Sequence, residues 1–295
     1  MKDRELMRVI RSIHSLRQVI NKAKRQNKKI GFVPTMGALH DGHRSLLKKC
    51  RRENNLVVLS IFVNPQQFAP HEDYAQYPRD KKKDELLAKK ENVDIIFYPS
   101  EEIMYPKGYL SYVTVESISD LLCGKSRPGH FKGVATIVAK LLNCVSPDIL
   151  YLGQKDAQQA YILKKMIADL NFPVKVKICP IIRENDGLAM SSRNRYLTQQ
   201  ERKEAPILFQ SLQEAKRKIL AGERNLITIS RLMESNIKRY SHGKLDYIEC
   251  VDPGTLAPLA QIQKKFMIAL AVKLGKTRLI DNIIIQIYAM GQRIK

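Results

Sequence analysis

IGFVPTMGALHDGHRSLLKKC, residues 30–50, decides how the rest of the chain is read. IGFV (30–33) is a short apolar run that stops at a proline, as a buried strand does. PTMGALHDGH (34–43) is a glycine-bearing loop carrying two histidines. From Gly42 to about Arg52 the residues Leu46, Leu47 and Cys50 recur on one side of a helix. Strand, polar loop and amphipathic helix in that order form the opening of a βα unit.

The pattern repeats on both sides. Residues 13–26 read as a helix, with Ser12 as N-cap and Leu16, Ile20 and Ala23 on its inner face. LVVLSIF (56–62) is continuously apolar, as expected of a strand covered on both faces. DELLAKKEN (84–92) reads as a helix and DIIFY (94–98) as a strand. Residues 131–145 read as a helix, DILYLG (148–153) as a strand, 156–169 as a helix and VKVKIC (174–179) as a strand. This alternation predicts an α/β fold with a doubly wound parallel sheet, whose ligands bind beyond the carboxyl ends of the strands. PTMGALHDGH, NPQQF and GQKDAQQ each directly follow a predicted strand.

After about residue 180 the texture changes. Residues 198–221 and 225–240 read as amphipathic helices, and KLDYIECV, KKFMIALAVKL and TRLIDNIIIQ as strands, the last two joined by a Gly-Lys turn. The expected organisation is a larger domain over residues 1–180 and a smaller α+β domain over 181–295.

Composition narrows the function classes. The five cysteines are scattered and form no C-x-x-C, which speaks against a disulfide framework or zinc ribbon and for a reducing, cytoplasmic compartment. No apolar run reaches membrane-spanning length, and the charged start MKDRELMRVI lacks the apolar core of a secretory signal. The net charge of +22 is concentrated early: residues 1–52 hold fifteen Lys and Arg against three Asp and Glu. Anionic small substrates, nucleic acid or a plain solvated surface would each account for it. Aromatic residues do not alternate with the basic ones as a stacking platform for single strands requires.

His40 and His43 lie three apart at a helix start. A zinc site needs further ligands, and the H-E-x-x-H pattern is absent. An anion site fits better, because the amino end of a helix offers N–H groups and a positive dipole, and imidazoles one turn apart can serve one phosphate. Two histidines that merely cap a helix remain the plain alternative. AMSSRN (189–194) offers two hydroxyls and a guanidinium fork, and GQKDAQQ (153–159) offers Lys155 and Asp156; taken alone, each is also an ordinary polar turn. There is no G-x-G-x-x-G and no Walker A loop.

PTMGALHDGH, SIFVNPQQF, RPGHFKGV, GQKDAQQ and DGLAMSSRNRYL, in this order and with TRLIDN near the end, closely resemble the pantothenate synthetase (pantoate–β-alanine ligase) family of the HIGH-type nucleotidyltransferases. The resemblance implies a Rossmann-type domain with a smaller carboxyl-terminal domain, a homodimer, and ATP-dependent joining of pantoate to β-alanine through a pantoyl adenylate, with Mg²⁺. It places His40, His43, Lys155, Ser191, Ser192 and Arg193 at the ATP phosphates and in catalysis. It places Gly153 and Asp156 at the ribose, and Met36, Ile182 and Met190 elsewhere along the nucleotide. Gln67, Gln159, Met36, Asn64, Tyr77, Arg127 and His130 fall at the pantoate and β-alanine positions. Asp84 matches an acidic position that helps hold magnesium, although Lys83 stands where a second carboxylate is common. Residues 69–83 are expected to form a gate over the site. Another nucleotidyltransferase of the superfamily and an RNA-binding module are the competing readings. The expected partners are the small substrates, with no nucleic acid and no membrane.

Overall fold

The computed structural model describes residues 6–287; the charged residues 1–5, part of the amino-terminal start considered above, lie outside them. In chain order the first elements are β1 (Arg8–Ile10), α1 (Ile13–Arg25), β2 (Ile30–Thr35), α2 (Asp41–Glu53), β3 (Leu56–Ile61), α3 (Lys81–Lys90), β4 (Ile95–Phe97) and α4 (Glu101–Met104). Next come α5 (Cys123–Ser126), α6 (His130–Val145), β5 (Ile149–Gly153), α7 (Ala157–Asp169) and β6 (Lys175–Cys179). The last described elements are α8 (Gln199–Glu204), α9 (Ile207–Leu220), α10 (Leu226–Tyr240), β7 (Lys244–Val251), β8 (Lys265–Leu274) and β9 (Thr277–Gln286).

Two compact units result. The first holds the chain to Ser119, Arg127–Gln154 and Gln159–Ile182; the second holds Asp120–Ser126, Lys155–Gln158 and the chain from Arg183. The division is therefore more interleaved than a single cut near residue 180. Hydrogen bonds account for the two short excursions. Asn282 Nδ2 donates to the Lys155 carbonyl at 3.1 Å, and the Gln158 amide bonds Leu121 and Cys123.

In the first unit a six-stranded sheet runs in the order β1-β4-β3-β2-β5-β6, with every paired neighbour parallel. Two-residue periodicity sorts its side chains. Ile30, Phe32 and Val58 face the layer containing Leu16, Val138 and Leu163, whereas Val33, Val57 and Leu59 face Leu47, Cys50 and Ala88. Strand order reverses between β2 and β5, so the loop after β2 opens at the switch point, where doubly wound sheets bind ligands. The edge strand β1 has no counterpart in the sequence reading: three residues carry too little periodicity to register, and β4 supplies its partner across 87 positions of chain.

Helix ends follow local chemistry. Ser12 caps α1 by accepting from Ser15 N, as expected. Helix α3 starts at Lys81, earlier than the apolar pattern indicated, because Asp80 caps it by accepting from Lys83 N at 3.0 Å. Lys81, Lys82 and Lys83 are thus helical and do not belong to the preceding loop.

In the second unit β7, β8 and β9 form an antiparallel meander over which α9 and α10 lay Leu212, Ile219, Met233 and Ile237. Gly275 alone in the Gly-Lys turn has positive φ (52°), the pattern of a II′ hairpin. The expected helix 198–221 is two helices: Pro206 has no N–H to continue the ladder, so α8 ends at Glu204 and α9 begins after the proline. All five cysteines are free and buried, and among the described residues no helix is long and apolar enough to cross a membrane.

One acid-sensitive network braces the sheet. Glu53 accepts from Lys177, Tyr151 and Lys49 at 2.7–2.9 Å, and these bonds, Lys177's first, hold its carboxyl down from the ordinary 4.5 to about 2. A depressed carboxyl stabilises the fold above its unfolded value and loses that contribution as pH falls. Glu53→Gln is therefore expected to cost about 1 kcal/mol at pH 7, solvent screening limiting the effect. The gap to the parent protein should close between pH 4.5 and about 2. Urea midpoints across that range check this; a gap independent of pH would refute it.

Candidate functional site

The loop after β2 turns sharply. Gly37 and Ala38 both have positive φ, 83° and 50°, a conformation that costs a residue with a Cβ about 1 kcal/mol or more. Thr35 Oγ1 donates to the Ser60 carbonyl at 2.8 Å and accepts from Gly37 N at 3.2 Å. Asp84, only 3% exposed, reaches in from α3: its Oδ2 accepts from Ala38 N at 3.0 Å and its Oδ1 from Leu39 N at 2.8 Å. Asp84, expected at magnesium from the resemblance, is thus engaged by the histidine loop through an amide on each carboxylate oxygen.

The loop ends in a reciprocal cap built from the two histidines. His40 is the N-cap of α2 and its Nδ1 accepts from Gly42 N at 3.1 Å; His43 Nδ1 accepts from His40 N at 3.3 Å. The rings lie 4.1 Å apart. A neutral imidazole accepting at Nδ1 carries its proton on Nε2, so capping assigns both rings the tautomer that donates from Nε2. The capping and anion-binding readings are compatible, since capping uses only one nitrogen of each ring.

The turn after β3 is built around Gln67. Asn64, 1% exposed, donates to Gln67 Oε1 at 3.0 Å and to the Gly133 carbonyl at 3.1 Å, and accepts from the Tyr105 hydroxyl at 2.8 Å. Both its amide hydrogens and its oxygen serve the fold, and they orient Gln67 so that its Nε2 points to Met36 Sδ at 3.1 Å. His130 Nδ1 donates to the Gln67 carbonyl at 2.7 Å and its Nε2 accepts from Arg127 at 3.0 Å. Arg127 forks onto Glu72 at 2.6 and 2.5 Å and also reaches the Gln67 carbonyl. Burial would raise the Glu72 carboxyl, but the hydrogen bonds and charge of Arg127 outweigh it and hold it low. Tyr77 is buried edge-on against Phe68. Of the residues expected around pantoate, then, Gln67 and Met36 meet each other, while Asn64, Arg127 and His130 brace Gln67. Gln159 stands half-buried in the first turn of α7, Gly153 ends β5, and Ile182 is half-buried at the end of this unit. In the expected gate, Arg79 ties residues 74–77 together by donating to the Tyr74, Ala75 and Tyr77 carbonyls.

The second unit holds the remaining candidates. Lys155 pairs with Asp156 at 3.2 Å in a 3-10 turn whose backbone Asn282 holds. Ser191 caps the 3-10 helix Ser192–Tyr196 and accepts from Arg193 N at 3.3 Å; Ser192 is buried, and Met190 and Arg193 are half-buried. Asn194 pins this loop through Glu184 and the Ala189 carbonyl, and Arg202 bridges Glu184 and Asp186, each at 2.6 Å. Arg183 forks onto buried Asp281 at 2.6 and 3.0 Å and stacks 3.8 Å from the Phe209 ring centroid. Glu72, Tyr105, Arg183 and Arg202 escaped the sequence reading, and Asp281 entered it only as part of TRLIDN, without a role; their partners lie 16 to 98 positions away and leave no local spacing. Among the described residues no group of three or more His, Cys, Asp or Glu could hold a metal ion.

Comparison with known proteins follows the same lines. The family model described as Pantoate-beta-alanine ligase matches residues 8–284. A pantothenate synthetase of Caldicellulosiruptor saccharolyticus is 52% identical, covering 95% of this chain and 100% of its own. That of Thermotoga neapolitana is 51% identical with the same coverages. Among solved structures, a pantothenate synthetase from Thermus thermophilus superposes with a TM-score of 0.90 at 42% identity, covering 94% of this chain and 99% of its own. A pantoate-beta-alanine ligase from Francisella tularensis, complexed with beta-gamma ATP and beta-alanine, gives 0.79 at 38% identity, covering 94% and 97%.

Proposed function

The chain belongs to the pantoate-beta-alanine ligase family, and from that premise we propose how its residues divide the condensation of pantoate with β-alanine at the expense of ATP. The pantoate carboxylate attacks the α-phosphorus, forming pantoyl adenylate and releasing pyrophosphate. The β-alanine amine then attacks the acyl carbon, forming pantothenate and releasing AMP. Neither step needs a covalent enzyme intermediate, so positioning and charge stabilisation carry the rate.

In the first unit, His40 and His43 donate from Nε2 to phosphate oxygens at the amino end of α2. Gln67 binds pantoate through Nε2, with Gln159 as a second amide and Met36 as apolar wall. Asn64, Arg127 and His130 act through Gln67, which they hold, and Tyr77 shapes the turn behind it. Gly153 meets no protein atom that would exclude a side chain, which supports its assignment to close approach of the ribose; Ile182 lies along the base. In the second unit, Lys155, Ser191, Ser192 and Arg193 take phosphate oxygens, Asp156 the ribose hydroxyls, and Met190 the base. Magnesium enters as part of the Mg·ATP substrate, held by phosphates and water, which suits an ion that keeps most of its hydration. The same reading carries a homodimer in the cytoplasm, and the five buried free thiols support the reducing compartment.

The observation that carries the reading is the reciprocal histidine cap, which assigns both imidazoles the Nε2 donor tautomer at a helix amino end. The test is ATP–pyrophosphate exchange. It should require pantoate, and the complete reaction should yield AMP. Formation of ADP, or equal exchange without pantoate, would overturn it.

A further inference from the structure

We propose that Asp84 is a positioning residue for the adenylation step: an internal anion that occupies the amide pocket of Ala38 and Leu39 and thereby sets where His40 caps α2 and how both imidazoles point. The inference rests on the phosphate role of the histidines given above.

Three features carry it. The carboxylate is almost fully buried and each of its oxygens accepts a different amide of one sharp turn. Hydrogen bonds to an ionised acceptor are roughly twice as strong as neutral ones. The turn also has an intrinsic reason to relax, because Ala38 sits in the left-handed region that a Cβ disfavours. Finally, Leu39 directly precedes His40, whose backbone N–H donates to the His43 ring. A shift of the Leu39 amide therefore moves the N-cap and, through it, both rings. The arrangement also changes the account of the anion site. Ala38 and Leu39 present the amides that an incoming phosphate would otherwise seek, and Asp84 already satisfies them. Phosphate recognition then falls to the imidazoles and the first turn of α2.

A magnesium ligand and a loop clamp respond differently to substitution. Asp84→Asn keeps one acceptor and turns an NH₂ toward an amide hydrogen. The expected result is a fall in kcat for pantoate-dependent exchange of about tenfold to a hundredfold, since displacement of catalytic groups by about 1 Å is worth that much. The KM for pantoate and the half-saturating Mg²⁺ concentration should stay within about twofold of the parent, because Mg²⁺ leans on substrate phosphates. Asp84→Ala should lose more than Asp84→Asn. Amide hydrogen exchange of Ala38 and Leu39 in the full chain without substrate should be slow in the parent protein and fast in Asp84→Asn. Recovery of the rate at raised Mg²⁺ would overturn the proposal in favour of metal ligation, as would an unchanged kcat. Should the variants fail to fold, fast exchange of both amides in the parent protein would overturn it and slow exchange would support it. That measurement is independent of the histidine roles, which fall separately if replacing His43 leaves adenylation intact.

Discussion

Replacing His43 by glutamate is expected to lower pantoate-dependent ATP–pyrophosphate exchange by about 10³-fold while leaving the fold intact. Glutamate is an ordinary residue at the third position of a capping box, where its carboxylate accepts from the N-cap backbone N–H. His43 does this through Nδ1, accepting from His40 N. The substitution keeps the cap and adds a negative charge at the favourable end of the helix dipole, worth about 0.3–1 kcal/mol. The unfolding midpoint should therefore hold or rise. Chemistry changes in the opposite direction. The Nε2 donor is lost, and removal of one preorganised donor costs about 10²–10³ in rate; a carboxylate in its place also repels the triphosphate. His43→Gln, which keeps the cap and an uncharged donor, should fall between the two. Exchange kinetics and thermal melts on the same preparations decide the matter. A glutamate variant with near-parental exchange would remove His43 from catalysis, and one that failed to fold would mean the cap needs imidazole.

The second large effect is expected from Gly133→Ala in α6. An alanine Cβ there would lie 2.2 Å from the Gln66 carbonyl oxygen and 2.7 Å from Gln67 N, while the Gly133 carbonyl accepts from Asn64. Backbone meets backbone, so no side chain can rotate aside. Alanine is the better helix former by about 1 kcal/mol, but overpacking a close-packed contact costs about 1–3 kcal/mol or more. With the neighbour unable to yield, the clash wins, for a net loss of about 2 kcal/mol. Relief must come from moving the turn that carries Gln67. The KM for pantoate should then rise about tenfold or more, because a buried amide that no longer meets its substrate hydroxyl is penalised strongly, whereas the KM for ATP should change little. Parental stability together with parental pantoate kinetics would show that the contact yields without cost.

Much of this architecture could be read before any coordinates. Alternating apolar runs and amphipathic segments place the strands and helices from α1 to β6, apart from the short α4 and α5, within a few residues of their true ends. They can do so because a side chain's burial is written in local periodicity. Ser12 and the Gly-Lys turn are equally local, each set by residues close by in the chain. Where a local rule competed with a pattern, the pattern lost: Pro206 divides an otherwise continuous apolar stripe, and Asp80 starts α3 before its apolar residues begin.

Which polar group meets which was another matter. The sequence by itself determined the doubly wound parallel sheet, the loops at its carboxyl ends and the motifs that resemble the ligase family. Only the tertiary structure decided that Asp84 clamps the histidine loop from 46 positions away, and that Asn64, Arg127 and His130 serve Gln67. Only it paired Arg183 with Asp281 across 98 positions and placed Lys155–Gln158 with the second unit. The physical reason is one of range. Helix and strand periods report to the chain's own neighbours, so they survive in one dimension. A buried carboxylate must find donors to offset its lost hydration, and many arginines, amides and hydroxyls along the chain would serve; packing brings one set to hydrogen-bonding distance and excludes the rest.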